Sequence, residues 1–252
     1  MTPESKPFYS IIIATFNSAA TIEPCLHSIL QQSFPGFEVL IQDGGSTDGT
    51  LRLVQQFNDR RIKLVSGPDS GIYDAMNKAA DRMNGQWILF LGSDDSLYHP
   101  HILQEIYTVV EQHPVSRFIY GNVFTSDQQE QRYDSHNYEK LLRLNICHQA
   151  IFYHQSLFRH ARYDLRYPVC ADWDFNLKCF RPPVHPLYVN KIIANYSLAG
   201  KSARWYHNPE YLQHFSDIRQ MILRYRGRPY LFVHYLTRLL NRFKRAFSLS
   251  GL

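Results

Sequence analysis

At 252 residues the chain has room for one large domain, or for one domain with an appendage. Its composition, 44% hydrophobic and 19% charged, is that of a globular protein with a sizeable core and excludes a disordered or fibrous chain. The net charge of +5 is uneven: from Lys201 onward ten Lys or Arg face only Glu210 and Asp217, giving +8, while the first 200 residues carry 17 bases and 20 acids, giving −3. Cys25, Cys147, Cys170 and Cys179 show no C-x-x-C or zinc spacing, so free thiols in a reducing compartment are expected. Met1 to Pro7 is polar and unlike a signal peptide, and no apolar stretch has the length of a bilayer span, which predicts a cytoplasmic protein. The 17 Tyr and 16 Phe suit sugar or lipid contacts as well as a plain core.

Tyr9 to Thr15, YSIIIAT, predicts a first buried strand, and Ala19 to Gln32 a helix through Ile22, Leu26, Ile29 and Leu30. Phe37 to Gln42 predicts a second strand ending in the loop Asp43 to Thr50. A helix through Leu51, Val54 and Phe57 and a strand at Ile62 to Val65 follow. Strand and helix alternate in this way over about sixty residues, which predicts a parallel sheet of right-handed βαβ units. Asp43 stands at a strand's carboxyl end, where it can accept from a base or ribose donor, and the glycines after it let backbone approach a ligand. The loop has neither the G-x-G-x-x-G nor the G-K-[ST] pattern and fails the EF-hand spacing at Gly45; a plain glycine-rich turn is the alternative. Ser66 to Ala79 opens with turn residues and runs into a helix on which Asp74 shares a face with Asn77 and Lys78. That end faces either a phosphate or solvent.

Trp87 to Leu91 is apolar at every position, the pattern of a strand buried on both faces, and Gly92-Ser93-Asp94-Asp95 follows at once. Two adjacent carboxylates at a strand's carboxyl end repel unless a cation or a donor-rich ligand lies between them. Oxygen ligands suit Mg²⁺ or Mn²⁺ held partly by substrate phosphates. The alternative is a helix N-cap. Pro100 to Val110 predicts a further helix.

The series IIIATFN, IQDGGSTDGT, PDSGIYDAMNKA and ILFLGSDD, in this order and spacing, resembles family 2 of the inverting glycosyltransferases with the GT-A fold. It is most similar to the bacterial branch that builds colanic-acid-like exopolysaccharides and O-antigens. The resemblance covers about residues 9 to 205. It implies an α/β fold of Rossmann-like character: a mostly parallel central sheet flanked by helices, with residues 1–205 as the catalytic domain. Its nucleotide-sugar half would be about 1–117 and its acceptor half about 118–205, with 206–252 as a helical appendage. Such enzymes move a sugar from a nucleotide diphosphate, UDP foremost, to an acceptor hydroxyl with inversion, using Mn²⁺ or Mg²⁺. On this chain the resemblance implies that Thr15, Phe16 and Asn17 line the nucleoside pocket, Asp43 holds the base, and Ser93 and Asp94 meet the ribose or donor. Asp74, Asn77 and Lys78 would lie by the phosphates and Asp95 would carry the metal. Family members often have another acid where Gly92 stands, so this chain offers fewer metal ligands.

Phe118 to Phe124 predicts a strand, Asp127 to Asn137 a polar mobile loop, and Cys147 to Tyr153 a strand or strand edge. His148-Gln149 resembles the family's acceptor-side element, although a lone His is more often a satisfied core group. Asp172 and Asp174 precede the helical spacing of Phe175, Leu177, Lys178 and Phe180. The resemblance implies the catalytic base here, as the Asp of a Glu-Asp pair; Ala171 replaces the Glu and Asp172 matches the base. Asp174 is the alternative, otherwise a first-turn acid favoured by the helix dipole. Ser197 to Ser202 resembles the family's G-G-x-S segment, with Ala199 in place of the first Gly, and implies Lys201 and Arg204 near the phosphates.

Glu210 to Arg226 and Tyr230 to Phe247 read as basic amphipathic helices, drawn to an anionic membrane surface or packed on the domain. No nucleic-acid motif accompanies them. The expected enzyme is a peripheral glycosyltransferase on the inner face of the cytoplasmic membrane, with a polyprenyl-linked saccharide as acceptor. A nucleotidyltransferase and a non-catalytic nucleotide-sugar-binding scaffold are the alternatives, the second made thinkable by Gly92 and Ala171.

Overall fold

The computed structural model describes residues 6–127, 129–159, 161–181, 184–198 and 211–226. The chain divides into two compact units, Met1–Tyr206 and His207–Leu252. In the first unit the amino-terminal half alternates strand and helix: β1 (Tyr9–Thr15), α1 (Ile22–Leu30), β2 (Phe37–Asp43), α2 (Thr50–Gln56), β3 (Ile62–Ser66), α3 (Ile72–Ala80) and β4 (Trp87–Gly92). Every residue of β1 and β2 is buried, as are the first five of β4. Strands apolar on both faces can persist only with helices covering both sides. α3 supplies part of that cover, burying Tyr73, Ala75, Met76, Ala79 and Ala80 and packing on β1 and β2.

β5 (Ser96–Leu97), α4 (Ile102–Gln112), β6 (Phe118–Thr125), β7 (Glu130–Gln131), α5 (Tyr138–Leu141), a 3₁₀ turn at His148–Ala150, β8 (Ile151–His154), α6 (Gln155–Arg159), α7 (Ala171–Cys179) and β9 (Pro186–Tyr196) complete the unit. The strands form one sheet in the order β3-β2-β1-β4-β8-β6-β9-β5, with β7 on β6. The first four run parallel, β8 is antiparallel to β4 and β6, and β9 is parallel to β6. The order 3-2-1-4 puts a topological switch point between β1 and β4, where open α/β sheets bind ligands at the strands' carboxyl ends. β5 begins four residues after β4 ends yet pairs with β9 at the far end of the strand path, so the sheet curls back on itself.

Three stretches depart from the sequence expectations. Within Asp127 to Asn137, residues 129–137 are tied down: β7 pairs with β6, and Tyr133 and His136, three residues apart, are buried and anchor a segment whose composition reads as loop. Cys147 to Tyr153 opens as a 3₁₀ turn before the strand. β9 escaped notice because Asn190, Lys191 and Asn195 interrupt its apolar residues. Nor does a helix follow Ser93-Asp94-Asp95, which rules out the N-cap alternative; the next helix is α4, capped at His101.

Much of the aromatic content is core. Phe90, Tyr153, Phe158, Tyr163 and Phe175 form one cluster, with Phe158 stacked on Phe175 at 4.3 Å, and it fixes α7 against the end of β4. In the second unit, α8 (Tyr211–Arg226) matches the predicted helix; Tyr230 to Phe247 lies outside the described residues.

The turn into β4 leaves no room for a side chain. A Cβ on Gly85 would meet the Ser10 amide nitrogen and lie 2.6 Å from the Tyr9 carbonyl carbon. Gly85→Ala should destabilise the fold by about 2–3 kcal/mol, read by denaturant unfolding.

Candidate active site

The loops after β1 and β2 are stitched together. Asn17, at φ +50°, donates its amide to Ser46 Oγ at 2.7 Å and accepts at Oδ1 from the Thr47 amide at 2.9 Å. The Ser18 amide donates to Thr50 Oγ1 and the Ala19 amide to Asp48 Oδ2. Both oxygens of buried Asp43 are engaged inside its own surroundings: Oδ2 accepts from the amides of Gly45 and Ser46 and from Ser66 Oγ, and Oδ1 from Ser46 Oγ. Burial pushes the Asp43 pKa up, but these hydrogen bonds more than offset it and hold the carboxyl below its ordinary value. Thr15 is buried, with its hydroxyl unpartnered among the described residues, and Phe16 is half exposed at 53%. Thr15, Phe16, Asn17 and Asp43 are thus brought to one place, and a 2.9 Å hydrogen bond from Ser93 Oγ to Ser18 Oγ joins β4's end to them.

On α3, Asp74 pairs with Lys78 at 2.9 Å and accepts from the Ser70 amide, and Lys78 also donates to the Pro68 carbonyl. Asn77 is a cross-link between the two halves: its Nδ2 donates to the Tyr163 carbonyl and its Oδ1 accepts from the Tyr163 amide. These side chains hold α3 to its neighbours. Lys201 and Arg204 lie outside the described residues.

At the end of β4 the carboxylates of Asp94 and Asp95 fold back over Gly92, so that a Cβ there would lie 2.5 Å from Asp95 Oδ2 and 2.9 Å from Asp94 Oδ1. A side chain at position 92 would therefore require the two carboxylates to turn aside. Asp95 is 4% exposed; its Oδ2 accepts from the Gly92 amide at 3.0 Å and Gln149 Nε2 at 2.8 Å, and its Oδ1 from the Ser197 amide at 2.8 Å. Burial first and the Asp94 charge second push the Asp95 pKa up to about 6, against the pull of those hydrogen bonds. Among the described residues no three His, Cys, Asp or Glu converge on one point. The protein therefore offers two carboxylates here, a number that fits a hard cation completed by phosphate and water oxygens. An open cleft of about 400 Å³ lies alongside, walled by Thr21 and Pro24, Phe124 and Ser126, and Asn195 and Tyr196.

Asp172 lies in the first turn of α7, nearly buried, inside a ring of donors. Tyr73 Oη donates to its Oδ1 at 2.9 Å and the Trp173 amide to the same oxygen at 2.8 Å. Asn145 Nδ2 donates to Oδ2 at 3.2 Å, and His148 Nδ1 lies 3.3 Å from it. Asp174, two residues on and so on the opposite side of the helix, is ion-paired with Lys178. The short turn His148–Ala150 touches both carboxylates, through His148 to Asp172 and Gln149 to Asp95. Asn145 and Tyr73 were not singled out from sequence. Gln149 and Ser197 left a signal only through resemblance, as part of the acceptor-side His148-Gln149 element and of the segment Ser197 to Ser202, with no role given to either.

The pattern of "Glycosyl transferase family 2" matches residues 10–172. The chain belongs to this family. It is 39% identical over 215 residues to the PGL/p-HBAD biosynthesis glycosyltransferase of Mycobacterium tuberculosis, covering 83% of this chain and 84% of that protein. It is 43% identical over 93 residues to the teichuronic acid biosynthesis glycosyltransferase TuaG of Bacillus subtilis, covering 36% and 37%. Among solved structures, S. aureus TarS 1-349 in complex with UDP-GlcNAc superposes with a TM-score of 0.70 at 19% identity, over 85% of this chain and 66% of that one. The mannosyltransferase PcManGT from Pyrobaculum calidifontis, in complex with GDP-Man and Mn²⁺, gives 0.64 at 17% identity, over 86% and 65%. The fold of this family 2 glycosyltransferase is GT-A, as the sequence motifs implied.

The raised Asp95 pKa has a sign that can be checked. A carboxyl whose pKa rises on folding costs stability once pH exceeds its unfolded value of 3.8, and the cost is complete above about 6. Without ligand, the stability of Asp95→Asn relative to the native chain should improve by about 3 kcal/mol between pH 4 and pH 7 in urea melts.

Proposed function

We propose that this family 2 glycosyltransferase transfers a sugar from a nucleoside diphosphate, a UDP-sugar foremost, to a hydroxyl of a lipid-linked saccharide, with inversion, in cell-surface glycan synthesis. The observation that carries the proposal is the single turn His148–Ala150, which holds a carboxylate beside the switch point and a second carboxylate in the other half of the domain. The nucleoside would lie over Thr15, Phe16 and Asn17, and Asp43, which also orders the loop after β2, would accept from the base. Ser93 and Asp94 would face the ribose and diphosphate. Asp94 and Asp95 would hold a divalent cation, Mn²⁺ or Mg²⁺, which offsets the charge gathering on the departing diphosphate. Asp172 draws the proton from the acceptor hydroxyl as its oxygen attacks the anomeric carbon from the face opposite the leaving group. The new C–O bond forms as the bond to phosphate breaks, and the proton ends on Asp172. Asp174, committed to Lys178, is the weaker choice of base.

The mycobacterial relative's name points to glycolipid synthesis and that of TuaG to a wall polymer, which supports a cell-surface product. UDP-GlcNAc in TarS and GDP-Man with Mn²⁺ in PcManGT support a nucleotide-sugar donor and a divalent cation. Lys201 and Arg204 would add positive charge near the diphosphate. Residues 206–252 would form the appendage that, with its excess of bases, brings the enzyme to an anionic membrane surface on the cytoplasmic side. Among the described residues no helix is long and apolar enough to cross a membrane.

Calorimetric titration with UDP-, GDP- and dTDP-sugars, with Mn²⁺ and with EDTA, tests the donor site. One nucleotide class should bind in a cation-dependent manner, and Asp95→Ala should abolish that dependence. Asp172→Asn should bind the same nucleotide normally while transfer falls by about 10³-fold. Binding of none of the nucleotides in either condition would sink the donor-site assignment.

A further inference from the structure

The count of lone pairs on Asp172 raises a difficulty for any base at this position. A carboxylate offers about four acceptor positions, and here four donors surround it, two on each oxygen. Facing an ionised carboxylate, His148 Nδ1 must be the protonated nitrogen. An acceptor hydroxyl can deliver its proton only if one donor gives way. The Trp173 amide is main chain and cannot turn. The Asn145 amide is clamped from behind, its Oδ1 accepting from Asn176 Nδ2 at 2.9 Å while that same Nδ2 donates to the Ile146 carbonyl. Tyr73 differs. Its one hydroxyl proton has two acceptors in reach, Asp172 Oδ1 at 2.9 Å and the Val169 carbonyl at 3.0 Å.

Resting on the assignment of Asp172 as the base, we propose that Tyr73 is a positioning residue whose hydroxyl swings from Asp172 Oδ1 to the Val169 carbonyl as the acceptor's proton arrives. The acceptor O–H breaks and an O–H forms on Asp172 Oδ1. Tyr73 keeps its own proton, now directed at Val169, and its oxygen accepts from the new carboxylic acid. One side chain thus holds Asp172 in both protonation states without moving its ring. The hydroxyl stays neutral throughout, since burial, and after it the Asp172 charge, push the Tyr73 pKa well above its ordinary value. The assignment also gives a role to a motif whose polar residues are otherwise spent on internal ties: α3 carries Tyr73 next to Asp74, so the helix that follows the third strand's loop reaches the base directly.

Tyr73→Phe is the test, because the ring keeps its packing on Tyr163 (centroids 5.1 Å apart) and loses only the hydroxyl. The kcat should fall about tenfold, the loss of roughly one hydrogen bond in the transition state. The KM for the donor and nucleotide binding by calorimetry should stay within about twofold, since the change touches no donor loop. The acid limb of the kcat–pH profile should move to higher pH, because the ionised carboxylate loses a donor. His148, Cys147, Tyr153 and Tyr163, the other titratable groups around Asp172, are unchanged in the variant. A kcat and an acid limb both equal to those of the native enzyme would overturn the proposal. Asp172→Asn run in parallel separates the two levels: if that variant transfers sugar normally, the base assignment has failed, whereas if it is inactive and Tyr73→Phe is normal, only the swing of Tyr73 has.

Discussion

A carboxylate buried at the end of an apolar strand cannot be left to itself, and the architecture around Asp95 answers that constraint. Its three hydrogen-bond donors come from three separate regions: Gly92 in the same turn, Gln149 in the 3₁₀ turn, and Ser197 beyond β9. Even so, burial and Asp94 keep its pKa raised, so the protein holds unrelieved negative charge at this point. Such a concentration of charge on a buried group beside a switch point is characteristic of a site whose ligand supplies the missing counter-charge. The space above Gly92 is occupied by the two carboxylates themselves, at the position where the family's fuller acidic motif would place another.

The two halves of the catalytic unit are not independent lobes. The aromatic cluster packs α7 on β4, Asn77 clasps the Tyr163 backbone, Tyr73 reaches Asp172, and the turn His148–Ala150 spans both carboxylates. Phe90 to Tyr163, Asn77 to Tyr163, Tyr73 to Asp172 and Asp95 to Gln149 each join a residue of the amino-terminal half to one more than fifty positions later. Two acids that must act on one substrate are best held at a fixed separation, and rigid elements do this better than loops.

The amino-terminal half was legible because its signals are local. Continuous apolar runs at Tyr9, Phe37 and Trp87, each closed by small or acidic residues, identify buried parallel strands, and their order placed Asp43, Asp94 and Asp95 at carboxyl ends. Beyond residue 118 the strands alternate in direction and their sequences mix polar with apolar, so β9 and the short β5 and β7 left no periodicity to follow. The site residues that escaped notice share a cause. Asn145 and Tyr73 act through one hydrogen bond each to a distant carboxylate, and such partnerships leave no pattern along the chain. Asp43 was legible as a well-placed acid, but the ties that order it, from Gly45, Ser46 and Ser66, were not, because they depend on how its own loop folds back.

The hydrogen bond from the Ser197 amide to Asp95 joins residues 102 positions apart, and β9 completes the sheet by pairing with β5 across a similar span. Contacts of such separation carry the largest loop-closure cost and form late in folding. During synthesis the amino-terminal βαβ units can assemble as soon as they emerge, but Asp95 acquires its last donor only after nearly the whole unit has left the ribosome. The charged centre is therefore complete only once Ser197 is in place, and a chain stopped short of it would carry the whole stretch that matches the family, residues 10–172, while lacking the contact that closes its centre.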